Sequence, residues 1–272
     1  MIPKVKLADG REIPQIGLGL WKVKNEAEFK TSFEAGLAAG YRHFDSAEVY
    51  DNEQFLGAAW KKSGIKREDL WLTTKIAVQH FGYNHTKKAF DQSIEKLQTN
   101  YVDLILLHFP VSLLRKKSWQ ALEEIKASGR AKSIGVSNFT IRHLQEMEKY
   151  AKEMPVINQV ELHVFLQQPE LIDYCRERNI AVEAYSPLAH ARAGSDDPVL
   201  KELATKYGKT YAQIMLRWLV QQDLIILPKS VTPSRIQENI SVFDFEIDDA
   251  DMQKLAGLNR DLRTCWDPTH VP

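Results

Sequence analysis

Short apolar runs and longer segments of helical periodicity alternate along the chain. The apolar runs fall at residues 16–20, 41–44, 70–74, 102–107, 133–136, 157–160, 181–184 and 224–227. The helical segments fall at residues 26–39, 53–62, 86–97, 119–127, 141–150, 169–177, 198–207 and 212–221. Apolar runs without polar alternation predict strands that are buried on both faces, which is typical of a parallel sheet covered by helices.

Eight strands that alternate with eight helices predict a (β/α)8 barrel, and the length suits one domain spanning residues 1–272. An open doubly wound sheet is the alternative. Its dinucleotide fingerprint requires a third glycine, but the stretch that begins Gly17-Leu18-Gly19 has Lys22 at that place. Two short alternating segments, 5–7 and 12–16, flank an Asp-Gly pair and predict an N-terminal hairpin.

The composition favours a protein that acts on a small molecule. Lys+Arg and Asp+Glu both number 36, so no overall basic field favours nucleic acid or an acidic membrane surface. Cys175 and Cys265 are far apart, which argues against a disulfide framework or a cysteine metal site and fits the cytoplasm. We expect no metal. We also expect no signal peptide, because the N-terminus MIPKVKLADG lacks an apolar region, and no membrane span, because no apolar run is long enough.

Polar or aromatic residues follow every predicted strand. They are Trp21, Asp45, Lys75, His108, Ser137, Asn138, Gln159, Tyr185, Lys229 and Ser230, with Tyr50 shortly after Asp45. In barrel enzymes the catalytic residues come from the carboxyl ends of the strands, so we expect these side chains to share one cavity. Each also has a structural interpretation: Asp45 and Lys75 as a buried ion pair, His108 as a core histidine, and residues 137–140 as a capping turn.

Four of these residues together form a plausible proton donor. A tyrosine has an ordinary pKa of about 10, and a nearby ammonium stabilises its phenolate. We therefore expect Asp45 to hold Lys75 charged, Lys75 to lower the pKa of Tyr50, and Tyr50 to act as a general acid. His108 can hydrogen-bond a carbonyl oxygen and orient it.

The same segments resemble the signature of the aldo-keto reductase family. The motifs are GYRHFDSAEVYDNE at 40–53, GVSNF at 135–139, NQVELH at 158–163, and LPKS at 227–230 followed by Arg235, Glu238 and Asn239. The resemblance runs from about residue 5 to about residue 259 and is greatest to short microbial members that reduce keto-aldehydes such as methylglyoxal, or diketo-sugar acids. It implies a (β/α)8 barrel with the hairpin under its bottom, NADPH as cofactor, and a monomer.

The resemblance also implies roles for individual residues. Asp45, Tyr50, Lys75 and His108 match the catalytic tetrad. The expected cofactor residues are Ser137, Asn138 and Gln159 at the nicotinamide carboxamide, Tyr185 stacked on its ring, Ser186 and Leu188 at the pyrophosphate, and Lys229, Ser230, Arg235, Glu238 and Asn239 beyond them. Lys229 and Arg235 are suited to the 2′-phosphate, since arginine grips a phosphate in bidentate fashion and lysine binds it as a point charge.

Three departures from the family pattern bear on the substrate. Residues 76–78 are Ile-Ala-Val where relatives often carry a Trp-Asn pair, Phe109 stands where tryptophan is more usual, and Val164 replaces a common proline. The first two are expected to border the substrate pocket. We expect Trp21, Phe109 and Trp266 to form its apolar walls.

Two other functions remain open from the sequence. The barrel could be a Schiff-base lyase with Lys75 as nucleophile, although a lysine paired with Asp45 would stay charged. It could also be a sensor that binds NADPH with little turnover, which the complete tetrad disfavours. The interpretation that accounts for most residues is an NADPH-dependent reductase of a small aldehyde or ketone.

Overall fold

The computed structural model describes residues 2–191 and 194–272. An antiparallel hairpin, β1 (Lys4–Lys6) and β2 (Glu12–Pro14), comes first. Eight parallel strands follow, and their order in the sheet is their order in the chain. They are β3 (Leu18–Gly19), β4 (His43–Asp45), β5 (Trp71–Ile76), β6 (Val102–Leu107), β7 (Ala131–Ser137), β8 (Ile157–Glu161), β9 (Ala181–Tyr185) and β10 (Ile225–Leu227).

The first and last strands of this sheet close it into a barrel. Ile16 and Ile226 form a parallel bridge, as do Gly19 and Lys229. The Gly17 amide donates to the Ile226 carbonyl at 2.9 Å, so backbone hydrogen bonds join the two edges. The predicted (β/α)8 barrel is confirmed, and the open doubly wound sheet is wrong because such a sheet would leave both edges unpaired.

Helices alternate with the strands along the chain. They are α1 (Glu26–Ala39), α2 (Glu53–Ser63), α3 (Tyr83–Lys96), α4 (Arg115–Ala127), α5 (Ile141–Met147), α6 (Pro169–Glu177), α7 (Pro198–Tyr207), α8 (Tyr211–Val220), α9 (Pro233–Ile240) and α10 (Asp249–Ala256). The bounds of α1, α6 and α7 equal the predicted ones. The start of α4 was predicted four residues too late, because its first turn is polar and carries no apolar periodicity. The eight predicted helices also include neither α9 nor α10.

Local capping explains why α1 has the predicted bounds. The Asn25 side chain accepts hydrogen bonds from the amides of Ala27 and Glu28, at 2.9 and 3.2 Å. At the other end Gly40 takes a left-handed conformation with φ of 103°. A glycine adopts this conformation without the steric cost that a side chain would add, so the chain can turn directly into β4.

The hairpin covers the end of the barrel at which the strands begin. Leu7 and Ile13 of the hairpin region share one apolar cluster with side chains from the barrel interior. Those side chains are Trp71, Leu104, Leu106, Val156, Ile157 and Ile225. Full burial of a leucine or isoleucine stabilises the fold by roughly 1.5–3 kcal/mol. The hairpin therefore covers the bottom of the barrel and stabilises it.

Candidate active site

Three members of the expected tetrad meet at the carboxyl ends of β4 and β5. Asp45 ends β4, Lys75 lies near the end of the adjacent β5, and Tyr50 closes a short 3-10 turn after β4. The Lys75 Nζ donates to Asp45 Oδ1 at 2.5 Å, to the Ser46 carbonyl at 2.8 Å and to the Tyr50 hydroxyl at 3.4 Å. One ammonium therefore links the carboxylate and the phenol.

Charge and burial shift the pKa values of Lys75 and Tyr50 in opposite directions. Burial would lower the pKa of Lys75, but Asp45 and Tyr50 raise it above its ordinary value, so the lysine is charged. Burial also raises the pKa of Tyr50, and this effect exceeds the opposing influence of the Lys75 ammonium. Lys75 therefore acts on the Tyr50 pKa in the expected direction, but burial outweighs it in the free protein. The phenol keeps its proton at neutral pH, as a general acid must.

His108 stands beside the phenol. It follows β6 directly, and its ring centroid lies 5.7 Å from that of Tyr50 in an edge-on arrangement. Burial, together with the positive charge of Lys75, lowers the pKa of His108 to about 3. A neutral imidazole beside the hydroxyl of Tyr50 can donate a hydrogen bond to an oxygen bound between them.

The turn that carries Tyr50 is tied to the loop after β5. Glu48 accepts a hydrogen bond from the Ala77 amide at 2.9 Å, and its other oxygen contacts the His80 ring. Ala77 belongs to residues 76–78, where the sequence departs from the family pattern, and His80 lies two residues beyond them. Sequence reasoning did not single out Glu48 or His80, because their pairing joins two loops whose approach only the fold defines.

The residues expected at the nicotinamide carboxamide form one hydrogen-bonded group. Ser137 Oγ donates to the Gln159 carbonyl at 2.9 Å, and Asn138 Nδ2 donates to Ser137 Oγ at 3.0 Å and to the His108 carbonyl at 3.1 Å. The Tyr185 hydroxyl donates to Asn138 Oδ1 at 2.6 Å. Asn138 has a φ of 65°, a left-handed conformation that asparagine tolerates better than most residues. These four residues thus lie together beside His108.

A buried acid below this group was not identified from the sequence. Gln159 Nε2 donates to Asp45 Oδ2 at 2.8 Å and to Glu183 Oε2 at 2.7 Å. Burial, with the nearby Asp45 charge, raises the pKa of Glu183 to about 8. The signal that could have found Glu183 is its place as a lone charge inside the apolar run 181–184.

Two cations lie beyond β10, where the adenine end of the cofactor was expected. Lys229 and Arg235 are both exposed. Neither forms an ion pair with any residue among those the structure describes. Partial burial lowers the pKa of Lys229. Their charges are available to an anion.

The other polar residues of this region are used differently. Ser230 Oγ accepts a hydrogen bond from the Thr232 amide at 3.1 Å, which shapes the turn before α9. Glu238 Oε1 accepts from Thr210 Oγ1 at 2.6 Å, at the start of α8. Asn239 is buried next to it on α9. Ser230 and one oxygen of Glu238 therefore already have structural partners.

Apolar side chains surround the opening of the site. The exposed large apolar residues of the described chain are Val49, Val78, Leu113, Leu114, Leu262 and Trp266. All of them lie on the loops after β4, β5 and β6 or on the tail after α10. The expected wall residues Phe109 and Trp266 contact each other at right angles, with ring centroids 6.4 Å apart. Trp21 packs instead against His190, at 5.7 Å.

The segment after β9 joins this rim to the tail. Ser186 has a φ of 48°, and its Oγ lies 3.5 Å from the Cys265 Sγ. Leu188 is partly buried against the main core. Residues 192 and 193, a little further on, lie outside the described chain.

The sequence profile of the aldo/keto reductase family matches residues 15–260. The chain belongs to this family. It is 43% identical over 267 residues to the glyoxal reductase of Bacillus subtilis (strain 168), which covers 98% of this chain and 96% of the relative. It is 42% identical over 267 residues to the methylglyoxal reductase DkgA of Escherichia coli O157:H7, covering 97% and 96%. The expected resemblance to short microbial reductases is confirmed.

Solved structures of the family share the fold. MGS-M4, an aldo-keto reductase from a Medee basin deep-sea metagenome library, superposes with a TM-score of 0.96 at 38% identity and covers 98% of this chain and 99% of that one. The aldo-keto reductase AKR2E4 of Bombyx mori, determined in complex with NADP, gives a TM-score of 0.90 at 33% identity, with coverage of 97% and 94%.

Within residues 2–191 and 194–272, no helix is both long and apolar enough to cross a bilayer.

Proposed function

We propose that this aldo/keto reductase reduces small aldehydes or ketones with NADPH and uses Tyr50 as its general acid. The observation that carries the proposal is the position of the Lys75 Nζ, bonded to Asp45 at 2.5 Å and to the Tyr50 hydroxyl at 3.4 Å. This arrangement holds a protonated phenol next to a fixed positive charge. The phenol can donate its proton while the ammonium stabilises the phenolate that remains.

The cofactor fits the residues that are present. When bound, NADPH would supply the hydride for the carbonyl carbon. Lys229 and Arg235 are cations without ion-pair partners in the described chain, so both could bind the 2′-phosphate of NADPH. Gln159 donates both hydrogens of its side-chain amide, to Asp45 and to Glu183. Its side-chain oxygen can therefore accept a hydrogen bond from the nicotinamide carboxamide. Ser137, Asn138 and Tyr185 would complete that end, and Ser186 and Leu188 would line the pyrophosphate.

The protein would do three things during the reaction. His108, which is neutral, would hydrogen-bond the carbonyl oxygen and hold it near the Tyr50 hydroxyl. Tyr50 would pass its proton to that oxygen as negative charge develops there. Lys75, held by Asp45, would then stabilise the phenolate until solvent returns the proton.

The relatives and the rim suggest the substrate. The relatives named above are described as reductases of glyoxal and methylglyoxal, so we propose a keto-aldehyde or a sugar-derived carbonyl as the substrate class. The exposed apolar rim favours, within that class, carbonyls with an apolar substituent. Trp21, Phe109 and Trp266 are the proposed walls. We further propose that the chain acts as a monomer in the cytoplasm, as one catalytic domain over residues 1–272.

The lyase alternative receives no support from the geometry. A Schiff-base lysine must be neutral to attack a carbonyl, whereas Asp45 and Tyr50 raise the pKa of Lys75. Borohydride trapping of substrate on Lys75 without NADPH would revive that alternative.

The test follows NADPH absorbance with a panel of carbonyls: methylglyoxal, phenylglyoxal, an aromatic aldehyde, a diketo-sugar acid and an aldose. We expect NADPH oxidation that depends on the carbonyl and is fastest with the keto-aldehydes. Tight NADPH binding without turnover of any carbonyl would favour the sensor instead. Absence of NADPH binding would overturn the cofactor assignment.

A further inference from the structure

A fully buried carboxylate at the end of β8 has no part in the chemistry described above. Glu161 Oε1 accepts hydrogen bonds from the Thr264 amide at 2.7 Å and from the Thr264 hydroxyl at 2.5 Å. Glu161 Oε2 accepts from the Cys265 amide at 3.0 Å and lies 3.8 Å from an Arg263 nitrogen. Three consecutive residues of the tail after α10 thus converge on one side chain.

These contacts favour the charged form of Glu161. Burial would raise its pKa, but hydrogen bonds from His163, Thr264 and the tail amides lower it below its ordinary value. Hydrogen bonds to an ionised acceptor are roughly twice as strong as neutral ones. The tail is therefore attached by a set of strong bonds that a neutral side chain would not reproduce.

The tail residues that contact Glu161, together with Trp266 directly after them, lie next to both ends of the candidate site. Cys265 Sγ is 3.5 Å from Ser186 Oγ, at the expected pyrophosphate end. Trp266 packs edge-on against Phe109, the residue after His108. Trp266 is otherwise 67% exposed, so little besides this contact and the backbone on either side fixes its position.

After Trp266 the tail is held again, first at the buried Pro268 and then at its last two residues. There His143 Nε2 contacts the Val271 carbonyl at 2.8 Å, and Arg115 donates to the Pro272 carbonyl at 3.2 Å. Trp266 lies between this second attachment and the Glu161 contacts. Release at Glu161 would therefore free the stretch that carries Trp266 without detaching residues 271 and 272.

We propose that Glu161 is a positioning residue that clamps residues 263–266 over the site and so fixes Trp266 as a wall for large carbonyls. The clamp itself follows from the contacts, while its effect on turnover rests on the proposed function. A small carbonyl would reach Tyr50 without touching Trp266, whereas an aryl carbonyl would lose an apolar contact when the tail is free.

The first experiment measures trypsin cleavage after Arg263 in the full chain without cofactor. We compare the unmodified protein with Glu161→Gln, with Thr264→Ala and with the double variant. Glu123→Gln is the matched control, because Glu123 is a buried glutamate that accepts from the amides of Lys152 and Glu153 away from the site. We expect Glu161→Gln to be cleaved about tenfold faster or more, since charge-assisted hydrogen bonds are lost, and Glu123→Gln to match the unmodified protein.

The second experiment measures steady-state kinetics with phenylglyoxal and with methylglyoxal. Glu161→Gln is expected to raise KM for phenylglyoxal by about tenfold and to leave kcat and the methylglyoxal KM nearly unchanged. Thr264→Ala should change both the rate of trypsin cleavage and the KM for phenylglyoxal in the same direction as Glu161→Gln, but by less. The double variant should show less than the sum of the two single effects, because both variants remove the same interaction.

Several outcomes would overturn the inference. Equal trypsin cleavage of Glu161→Gln and the unmodified protein would show that Glu161 does not hold the tail. Equal losses of kcat for both carbonyls would indicate a general structural role. If Glu161→Gln does not fold, Thr264→Ala decides, and unchanged cleavage and KM in that variant would refute the clamp. No carbonyl turnover in the unmodified chain would refute the proposed function, while the trypsin result would still decide whether Glu161 holds the tail.

Discussion

The lower and upper halves of the barrel interior have opposite chemistry. Below, Trp71, Leu104, Ile157 and Ile225 pack with the hairpin in a cluster of buried apolar side chains. Above, four polar side chains from β4, β5, β8 and β9 form a connected network, and three of them are ionisable. They are Asp45, Lys75, Gln159 and Glu183.

The contrast separates stability from chemistry. Burial of the apolar cluster in the lower half stabilises the fold, and the side chains of that cluster carry no reactive group. Buried charges contribute little net stability, because desolvation offsets much of their attraction. The polar groups of the upper half are therefore explained by the chemistry that they can perform. The apolar groups of the lower half are explained by their contribution to the stability of the fold. Substitutions in the upper half should mainly lower activity, and substitutions in the lower half should mainly lower stability.

The largest expected effect is on turnover, in the upper half. Tyr50→Phe removes the proton donor and keeps the ring, so kcat should fall by roughly 10²–10⁴-fold. NADPH affinity and the urea midpoint should stay close to those of the unmodified protein. Steady-state kinetics, fluorescence titration with NADPH and urea unfolding measure the three quantities. Normal turnover in Tyr50→Phe would show that another group donates the proton.

The lower half should respond in the opposite way. Leu104→Ala leaves a cavity in the bottom cluster and should lower the free energy of unfolding by about 2–5 kcal/mol. Below the unfolding transition, kcat should be unchanged because Leu104 does not touch the tetrad. Urea unfolding and kinetics on the same sample test this. A loss of kcat comparable to that of Tyr50→Phe would mean that the two halves are not independent.

A smaller effect is expected outside the barrel interior. Arg235→Ala should reduce the preference for NADPH over NADH by about tenfold, the loss of one hydrogen bond to a charged group. The affinity for NADH should stay the same, since NADH lacks the 2′-phosphate. Lys254→Ala is the matched control, because Lys254 pairs with Glu202 and Asp251 on the surface. An unchanged cofactor preference in Arg235→Ala would refute the phosphate assignment.

The smallest expected effect is on the pH profile. His108 has a pKa of about 3, so it stays neutral, and kcat for reduction should show no ionisation near the ordinary histidine value of about 6.5. Because burial raises the pKa of Tyr50, its acid form is lost only at strongly alkaline pH. A profile of kcat against pH tests both. An ionisation near 6.5 that disappears in His108→Asn would contradict the neutral assignment.

The same histidine shift affects stability in acid. The unfolded chain protonates His108 at about pH 6.5, whereas the folded protein resists protonation down to about 3. The unfolded state therefore binds more protons in this window, and stability falls as the pH drops through it. His108→Asn should weaken this dependence in urea unfolding measured at several pH values.

The sequence predicted the fold well because the barrel repeats one local pattern. Strand β6 and helices α1, α6 and α7 have the predicted bounds, since apolar runs and capping residues define them locally. The first barrel strand is only Leu18–Gly19, and within the rest of its predicted run Ile16 joins β10 through an isolated bridge to Ile226. The short helix α10 was missed, although Asp248 caps it by accepting from the Asp251 amide at 2.9 Å.

The site was predictable in part for a similar reason. Asp45, Lys75 and Tyr50 follow successive strands, so the rule that strand ends share a cavity brought them together before the structure did. Glu161 and Glu183 could not be placed in the same way. The Glu161 contact with Thr264 spans 103 residues, and the partners of Glu183 are defined only once β8 and β9 pair.

In the proposed mechanism, hydride transfer to a carbonyl carbon is coupled to a proton from Tyr50. The direct test is a single-turnover reaction of phenylglyoxal with NADPH deuterated at the transferred position, run in H2O and in D2O. We predict that the deuterium appears on the carbinol carbon of the product. We also predict that the same step shows a solvent isotope effect, and that this isotope effect is absent in Tyr50→Phe. Absence of deuterium from the carbinol, or an unchanged rate in Tyr50→Phe, would rule out this mechanism.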